Sequence, residues 1–211
     1  SIKMSYEFFT LPLEEGGLGL DPKKIAVSCF DGDLNAERDE EAAKAWENLG
    51  FKKRTNEDKL HGGLIYFYGK KENWWGPAGQ TGPCGPDTEI FYIVDKEKCD
   101  KCDKAGVACN CGKPVEIWNN VFMQYNKEED GTFTPLTQKN VDTGLGLERI
   151  TAIMQGKDTA FETELFSSTI DKIKILANNT KNLNSEQKEE YAISERIIAD
   201  HLRAAVFIIG D

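Results

Sequence analysis

The 211-residue chain has no run of about 18 apolar residues, so no segment is long enough to cross a bilayer as a helix. Its opening stretch, SIKMSYEFFTLPLEEGG, lacks the apolar core of a secretion signal, and a cytoplasmic location is expected. Histidine is scarce: His61 and His201 stand isolated, with no nucleophile or metal partner recognisable near either. A Ser-His-Asp order and a P-loop signature are both missing, as are internal repeats and extended low-complexity tracts. Positive charge is in deficit, 26 Lys and Arg against 36 Asp and Glu, for a net charge of −10. A chain that lived by gripping phosphate backbones would be basic, so a small-molecule site is favoured over a nucleic-acid clamp. A local basic patch stays compatible with that total, because binding of polyanions depends on charge distribution.

What is present is ordinary for a soluble protein, 39% apolar and 29% charged, in a chain long enough for one large domain or two small ones. Ser5–Leu11 has a helical look. Ile25, Val27 and Cys29 alternate as in a strand, and Asn35–Leu49 reads as a helix stopped by Gly50. Leu64–Tyr68 and Thr88–Val94 are rich in Tyr, Phe and Ile and read as strands. Val115–Tyr125 is the longest strand candidate, and Asp130-Gly131 makes a hairpin turn into Thr132–Leu136. After Asp142 the period becomes helical: Leu147, Ile150 and Met154, then Phe166, Ile170, Ile173 and Ala177, then Tyr191 to Ile209. Asn178–Gln187 is a polar linker. The expected class is α+β, an antiparallel sheet with flanking helices followed by a helical segment.

Four segments can carry chemistry. In Trp74–Ile90 (WWGPAGQTGPCGPDTEI), glycine recurs at 76, 79, 82 and 85 with Pro77, Pro83 and Pro86 among them. Glycine permits close backbone approach and proline stiffens, so a rigid loop lying against a ligand is expected, with a surface connector as the plain alternative. If Val115–Tyr125 is a strand, Ile117, Asn119, Val121 and Met123 share one face, and Glu116, Trp118, Asn120 and Phe122 the other. One amide beside small apolar groups suits an alanine-sized ligand: Asn119 for its carboxylate or amine, Val121 for its methyl. A core strand with one satisfied Asn is the alternative. In Val141–Ile150, Gly144 and Gly146 lead into an amphipathic helix with Glu148 and Arg149 in its first turns. Helix N-terminal N–H groups and the Arg149 fork both suit phosphate oxygens, and Asp142 can pair with an ammonium group. An ordinary N-cap with a solvated Glu-Arg pair would look the same.

The fourth segment is CDKCDKAGVACNC. Cys99, Cys102, Cys109 and Cys111 lie at spacing C-x2-C-x6-C-x1-C, and such clustering favours metal over disulfides in a cytosolic protein. Four thiolates in a short loop suit a closed, structural Zn²⁺ site; free thiols or an iron–sulfur cluster are the alternatives. Cys29 and Cys84 read as packing residues.

Four stretches, GPAGQTGPCGPDTEIFY (76–92), EIWNNVFMQY (116–125), VDTGLGLERI (141–150) and ADHLRAAVFIIGD (199–211), resemble landmarks of the alanyl-tRNA synthetases, and they occur in that family's order. The third looks like the third class II motif. The resemblance implies ATP-dependent activation of alanine to alanyl-adenylate and its transfer to tRNA(Ala). It implies an alanine pocket of Trp75, Asn119, Val121, Asp142 and Gly144, with Asp142 on the amino group. It implies ATP contacts from Arg149 and Gly146, with Glu116 toward Mg²⁺; Arg149 and Asp142 would carry the catalytic roles. Residues 1–155 would be a partial aminoacylation domain with a Cys-rich insert at 96–113, and 156–211 the start of the helical tRNA-recognition region.

Departures from the family pattern are visible. Many relatives have one residue fewer before Thr81, which makes Trp74 a substitute for Trp75. Asp87 stands where many relatives show a second Cys. The Cys-rich insert is absent from many relatives, so no role for it is carried over. The first two class II motifs, including the arginine that holds the ATP α-phosphate, have no counterpart and are expected before Ser1. The chain therefore reads as a fragment with little activity alone, completed by a homo-oligomer or by a missing N-terminal catalytic half. The rival readings are a non-catalytic zinc-stabilised module that binds tRNA or a partner protein, and an adenylate-binding ligase or sensor without tRNA.

Overall fold

The computed structural model describes residues 1–177 and 184–210. Two compact units divide between Gly146 and Leu147. The first holds a seven-stranded sheet: β1 (Ile25–Phe30), β2 (Lys52–Lys53), β3 (Leu64–Tyr68), β4 (Trp74–Trp75), β5 (Gly82–Ile93), β6 (Pro114–Lys127) and β7 (Phe133–Leu145). Its order is β2-β3-β1-β5-β6-β7, with β4 pairing to β5 off this path. The β1-β5-β6-β7 body is antiparallel as expected, but β1 and β2 both run parallel to β3. The connection through a helix between β1 and β3 brings the chain back in the same direction, which a tight hairpin cannot do.

Two helices cover one face, here the rear: α1 (Ile2–Thr10) and α2 (Glu40–Asn48). Directly opposed residues share a face, so the pairings Val27↔Ile65, Val27↔Ile90 and Ile90↔Trp118 define the rear surface. Phe8 and Phe9 of α1 meet Trp118 there. From α2, the buried Trp46 donates Nε1–H to Thr88 Oγ1 at 2.8 Å. The helix expected from Asn35 starts only at Glu40, because the Asp39 carboxylate accepts from Ala42 N–H at 2.9 Å and caps it there.

The front face is divided. Ala26, Leu64, Tyr66, Phe91 and Ile93 form an apolar floor, and the Cys-rich segment sits on it with Cys102, Val107 and Cys109 buried. That segment contains the one-turn helix α3 (Cys102–Ala105). The rest of the front face is polar and is described below.

The Gly-Pro segment is a strand from Gly82 onward, not the rigid loop expected of it. Gly85 shows why glycine is needed: a Cβ there would lie 1.9 Å from the Phe122 carbonyl oxygen. The glycine serves the close packing of β5 on β6.

The second unit contains α4 (Leu147–Met154), α5 (Ser167–Ala177) and α6 (Ser185–Gly210). Phe166, Ile170 and Ala199 form its buried cluster. Asn184 and Gln187 cap α6 reciprocally, Gln187 N–H to Asn184 Oδ1 at 2.8 Å and Asn184 N–H to Gln187 Oε1 at 3.1 Å. The expected polar linker thus ends in a helix start, and its residues 178–183 lie outside the described residues. Among the described residues, no helix is long and apolar enough to cross a membrane.

Candidate functional site

The ladder register assembles the site. Asn119 opposes Glu89 on one side and Gly144 on the other; Val121 opposes Asp87 and Asp142. All six therefore lie on the front face. Of the residues singled out from sequence, Asn119, Val121, Asp142 and Gly144 are brought together across two strands. Val121 is buried and Asn119 half-buried, while Asp142 and Gly144 are exposed. A Cβ built on Gly144 would meet no atom within 4 Å, so open space lies before it, beside Asn119.

Glu116 departs from the simple alternation. Ile90 opposes Trp118 and Phe91 opposes Glu116, so β6 carries one extra residue, Ile117, in a bulge. The bulge inverts the alternation and puts Glu116 on the face of Phe91, Glu89 and Asn119. The expectation that Glu116 would share a face with Trp118 and Asn120 is corrected accordingly.

Behind Asn119 lies a hydrogen-bonded network that centres on Asp87, which is 2% exposed. Asn73 Nδ2 donates to Asp87 Oδ1 at 3.0 Å and to Ser28 Oγ at 2.7 Å. Asn119 Nδ2 donates to Asp87 Oδ2 at 3.3 Å, and Ser28 Oγ donates to Glu89 Oε2 at 3.4 Å. The Oδ1 atoms of both Asn73 and Asn119 are buried without a partner. Burial pushes the Asp87 carboxyl up to about 6; the two amide donors oppose this, and the nearby Glu116 carboxylate adds to it. Asn73, Ser28 and Glu89 had no role in the sequence reading. The available signal was two carboxylates at alternate positions, Asp87 and Glu89, in a strand whose other residues are largely apolar. Asn73 gave none, since its place depends on β4 pairing with β5.

The two tryptophans differ. Trp74 stacks on Tyr125, meets the rings of Phe30 and Phe133 edge-on or tilted, and lies under Lys70 Nζ, 4.6 Å from its ring centroid. Trp75 is 39% exposed and presents its indole at the surface. Gly146 ends the first unit, with its N–H on the Ile117 carbonyl at 3.1 Å. In the second unit, Arg149 is exposed in the first turn of α4, beside Glu148, which pairs with Arg203 of α6. A separate cleft of about 400 Å³, lined by Asp39, Ala42, Phe122, Gln124 and Val141 among others, opens toward the helix-covered rear and takes in none of Asp87, Glu89, Glu116, Asn119 and Asp142.

The four clustered cysteines converge as their spacing suggested, with all four Sγ atoms within 4.8 Å of one another. Adjacent Sγ atoms are 3.2–3.8 Å apart. A tetrahedron of thiolates at about 2.3 Å from zinc needs S···S distances of roughly 3.8 Å, whereas a disulfide needs about 2.05 Å. The donor set and its geometry fit a metal ion. Cys29 and Cys84 are buried, as packing residues are.

All 211 residues match the family model described as tRNA synthetases class II (A). The chain belongs to the class II (A) tRNA synthetase family. It is 48% identical over 211 residues to an alanine–tRNA ligase of Treponema denticola, 44% over 212 to that of Borrelia hermsii, and 40% over 212 to that of Petrotoga mobilis. The matches take in the whole of this chain but only 32%, 32% and 22% of those proteins, so it spans about a third of the length of the first two. The resemblance to alanyl-tRNA synthetases seen in four stretches thus extends over the full sequence, and the mixed sheet with flanking helices agrees with the class II assignment.

Proposed function

We propose that this chain carries the alanine-binding face of an alanine–tRNA ligase, which activates alanine with ATP and passes it to tRNA(Ala) in the cytoplasm. The observation that carries this is the register of β6 with β5 and β7, which puts Asn119, Val121, Asp142 and Gly144 on one face, with open space before Gly144. Asp142 pairs with the alanine ammonium, Gly144 leaves room for that group, Val121 meets the methyl group, and the exposed Trp75 forms a wall. A site shaped to one methyl group would exclude larger side chains by volume. In the first unit the backbone at Gly146 suits ATP phosphates and Glu116 is a carboxylate for Mg²⁺, an ion that prefers oxygen ligands; in the second, Arg149 suits phosphate oxygens. Such residues act by positioning reactants and stabilising charge, not as nucleophiles. The cysteine cluster holds a structural Zn²⁺ that fixes the knuckle to the front of the sheet.

The deciding experiment is calorimetric titration of the chain with a non-hydrolysable alanyl-adenylate analogue, with Asp142→Ala as control. Binding that disappears in the variant is the expected result. A folded sample that binds no analogue sinks this reading.

A further inference from the structure

We propose that Asp87 is a positioning residue that fixes the Asn119 amide so that its oxygen faces the ligand and selects an ammonium group over a carboxylate. This rests on the alanine-pocket reading and settles a choice the sequence left open. An ionised carboxylate has no proton to donate, so any amide facing it must turn its NH₂ group toward it. Asp87 receives two such amides, Asn73 at Oδ1 and Asn119 at Oδ2. Asn73 is held in its own orientation by a second bond to Ser28 Oγ and is fully buried, so it cannot move away and release the carboxylate. With its NH₂ committed to Asp87, Asn119 keeps only Oδ1 for another partner. That oxygen has no partner and is shut off from solvent; the residue across the ladder is Gly144, before which space is open, so a ligand there reaches the oxygen by displacing what covers it.

An orphaned acceptor carries a penalty that a ligand N–H group recovers and a ligand carboxylate increases. A primary ammonium group placed before Gly144 would meet Asn119 Oδ1 on one strand and the neighbouring Asp142 on the other. Replacing Asp87 with Asn keeps the shape but adds a donor, which lets Asn119 turn its oxygen inward toward the new NH₂.

The test compares two probes on the 211-residue chain: alanyl-sulfamoyl adenosine and its desamino counterpart, in which a propionyl group replaces alanyl. The unaltered chain should prefer the amino compound, and Asp87→Asn should lose at least about tenfold of that preference, the effect of one mispaired buried group. Affinity for the desamino compound should stay within about twofold, a split that general loss of structure would not give. The ¹⁵N spectrum of the unliganded chain is the second readout: the Asn119 side-chain NH₂ signals should shift strongly in Asp87→Asn. Unchanged preference in a folded Asp87→Asn overturns the proposal while leaving the pocket reading intact. Unmoved Asn119 signals also overturn it. Failure of the unaltered chain to bind either probe overturns the pocket reading and this proposal together.

Discussion

Asp87 holds a carboxyl inside the sheet face at a cost that depends on pH. Its folded-state pKa of about 6 stands above the usual 3.8, chiefly because burial disfavours the charged form. Between those values the folded chain keeps a proton that the unfolded chain has lost, so stability falls as pH rises across the window and stays lost above it. Asp87→Asn removes this term while other carboxylates titrate as before. In urea unfolding, the stability difference between Asp87→Asn and the unaltered chain should move toward the variant by on the order of 2 kcal/mol between about pH 4 and pH 7. A difference that stays flat with pH would contradict a buried, ionisable Asp87. Gly144 offers the complementary case. Its backbone needs no positive φ and a methyl group meets nothing, so Gly144→Ala should leave stability within about 0.5 kcal/mol. The same methyl occupies the proposed ammonium site and should weaken alanyl-adenylate analogue binding at least about tenfold by calorimetry. Residues of this kind were partly legible in sequence. Asn119 and Val121 share a face by simple alternation. Glu116 was placed wrongly because a bulge adds one residue without any mark in composition, and Asn73 was invisible because its role arises from strand pairing.

At the scale of elements, the cysteine knuckle was legible from spacing alone, because four thiols within thirteen residues have few other uses. Its seat was not. The knuckle is anchored by Tyr68 Oη donating to the Ala105 carbonyl at 2.6 Å and by Leu60 N–H donating to Asp103 Oδ1 at 3.0 Å. Arg54 adds a guanidinium donor to the Asp103 carbonyl at 2.5 Å. Gly106 sits where the knuckle crosses the sheet, with φ +64° and the Tyr66 ring 2.3 Å from where a Cβ would be. Gly106→Ala should therefore lift the knuckle and lower Tm by at least about 4 °C, the response of a domain this size to roughly 1–2 kcal/mol. The zinc proposal makes its own demand. Elemental analysis should find about one zinc per chain, and chelation should lower Tm by a similar amount, since ligand binding to the folded state alone is stabilising. A zinc-free chain whose melting is unmoved by chelator would leave the cluster as packed thiols. Elements elsewhere were legible wherever periodicity was strong, as in β3, β6 and α6. The start of α2 was misplaced by several residues because composition extended the helix past its Asp39 cap.

For the molecule as a whole, the open question is how the sheet is completed. Among the described residues no strand pairs with the outer edge of β7. Its first half is guarded, since Pro135 cannot donate to a new ladder and Lys139 places a charge there. The ladder to β6 is interrupted between Met123 and Tyr125, where β7 takes up four residues without partners, and it resumes at Asn140. The second half, Asn140–Leu145, is regular and exposed, carries the exposed Val141 and Leu145, and has one charge, Asp142. Net charge of −10 keeps copies apart at long range, but salt screens that repulsion beyond about 8–10 Å. Backbone pairing at an edge is short-ranged and survives the screening. The chain should therefore self-associate more as salt is raised, with sedimentation velocity showing a growing dimer fraction between about 0.05 and 0.5 M NaCl. Val141→Lys, which adds a charge to the unguarded half, should shift the population back to monomer without lowering Tm by more than about 2 °C. Association that is unchanged by this substitution would move the contact away from β7. A chain that stays monomeric at every salt and protein concentration would mean that this exposed edge does not pair with a second copy.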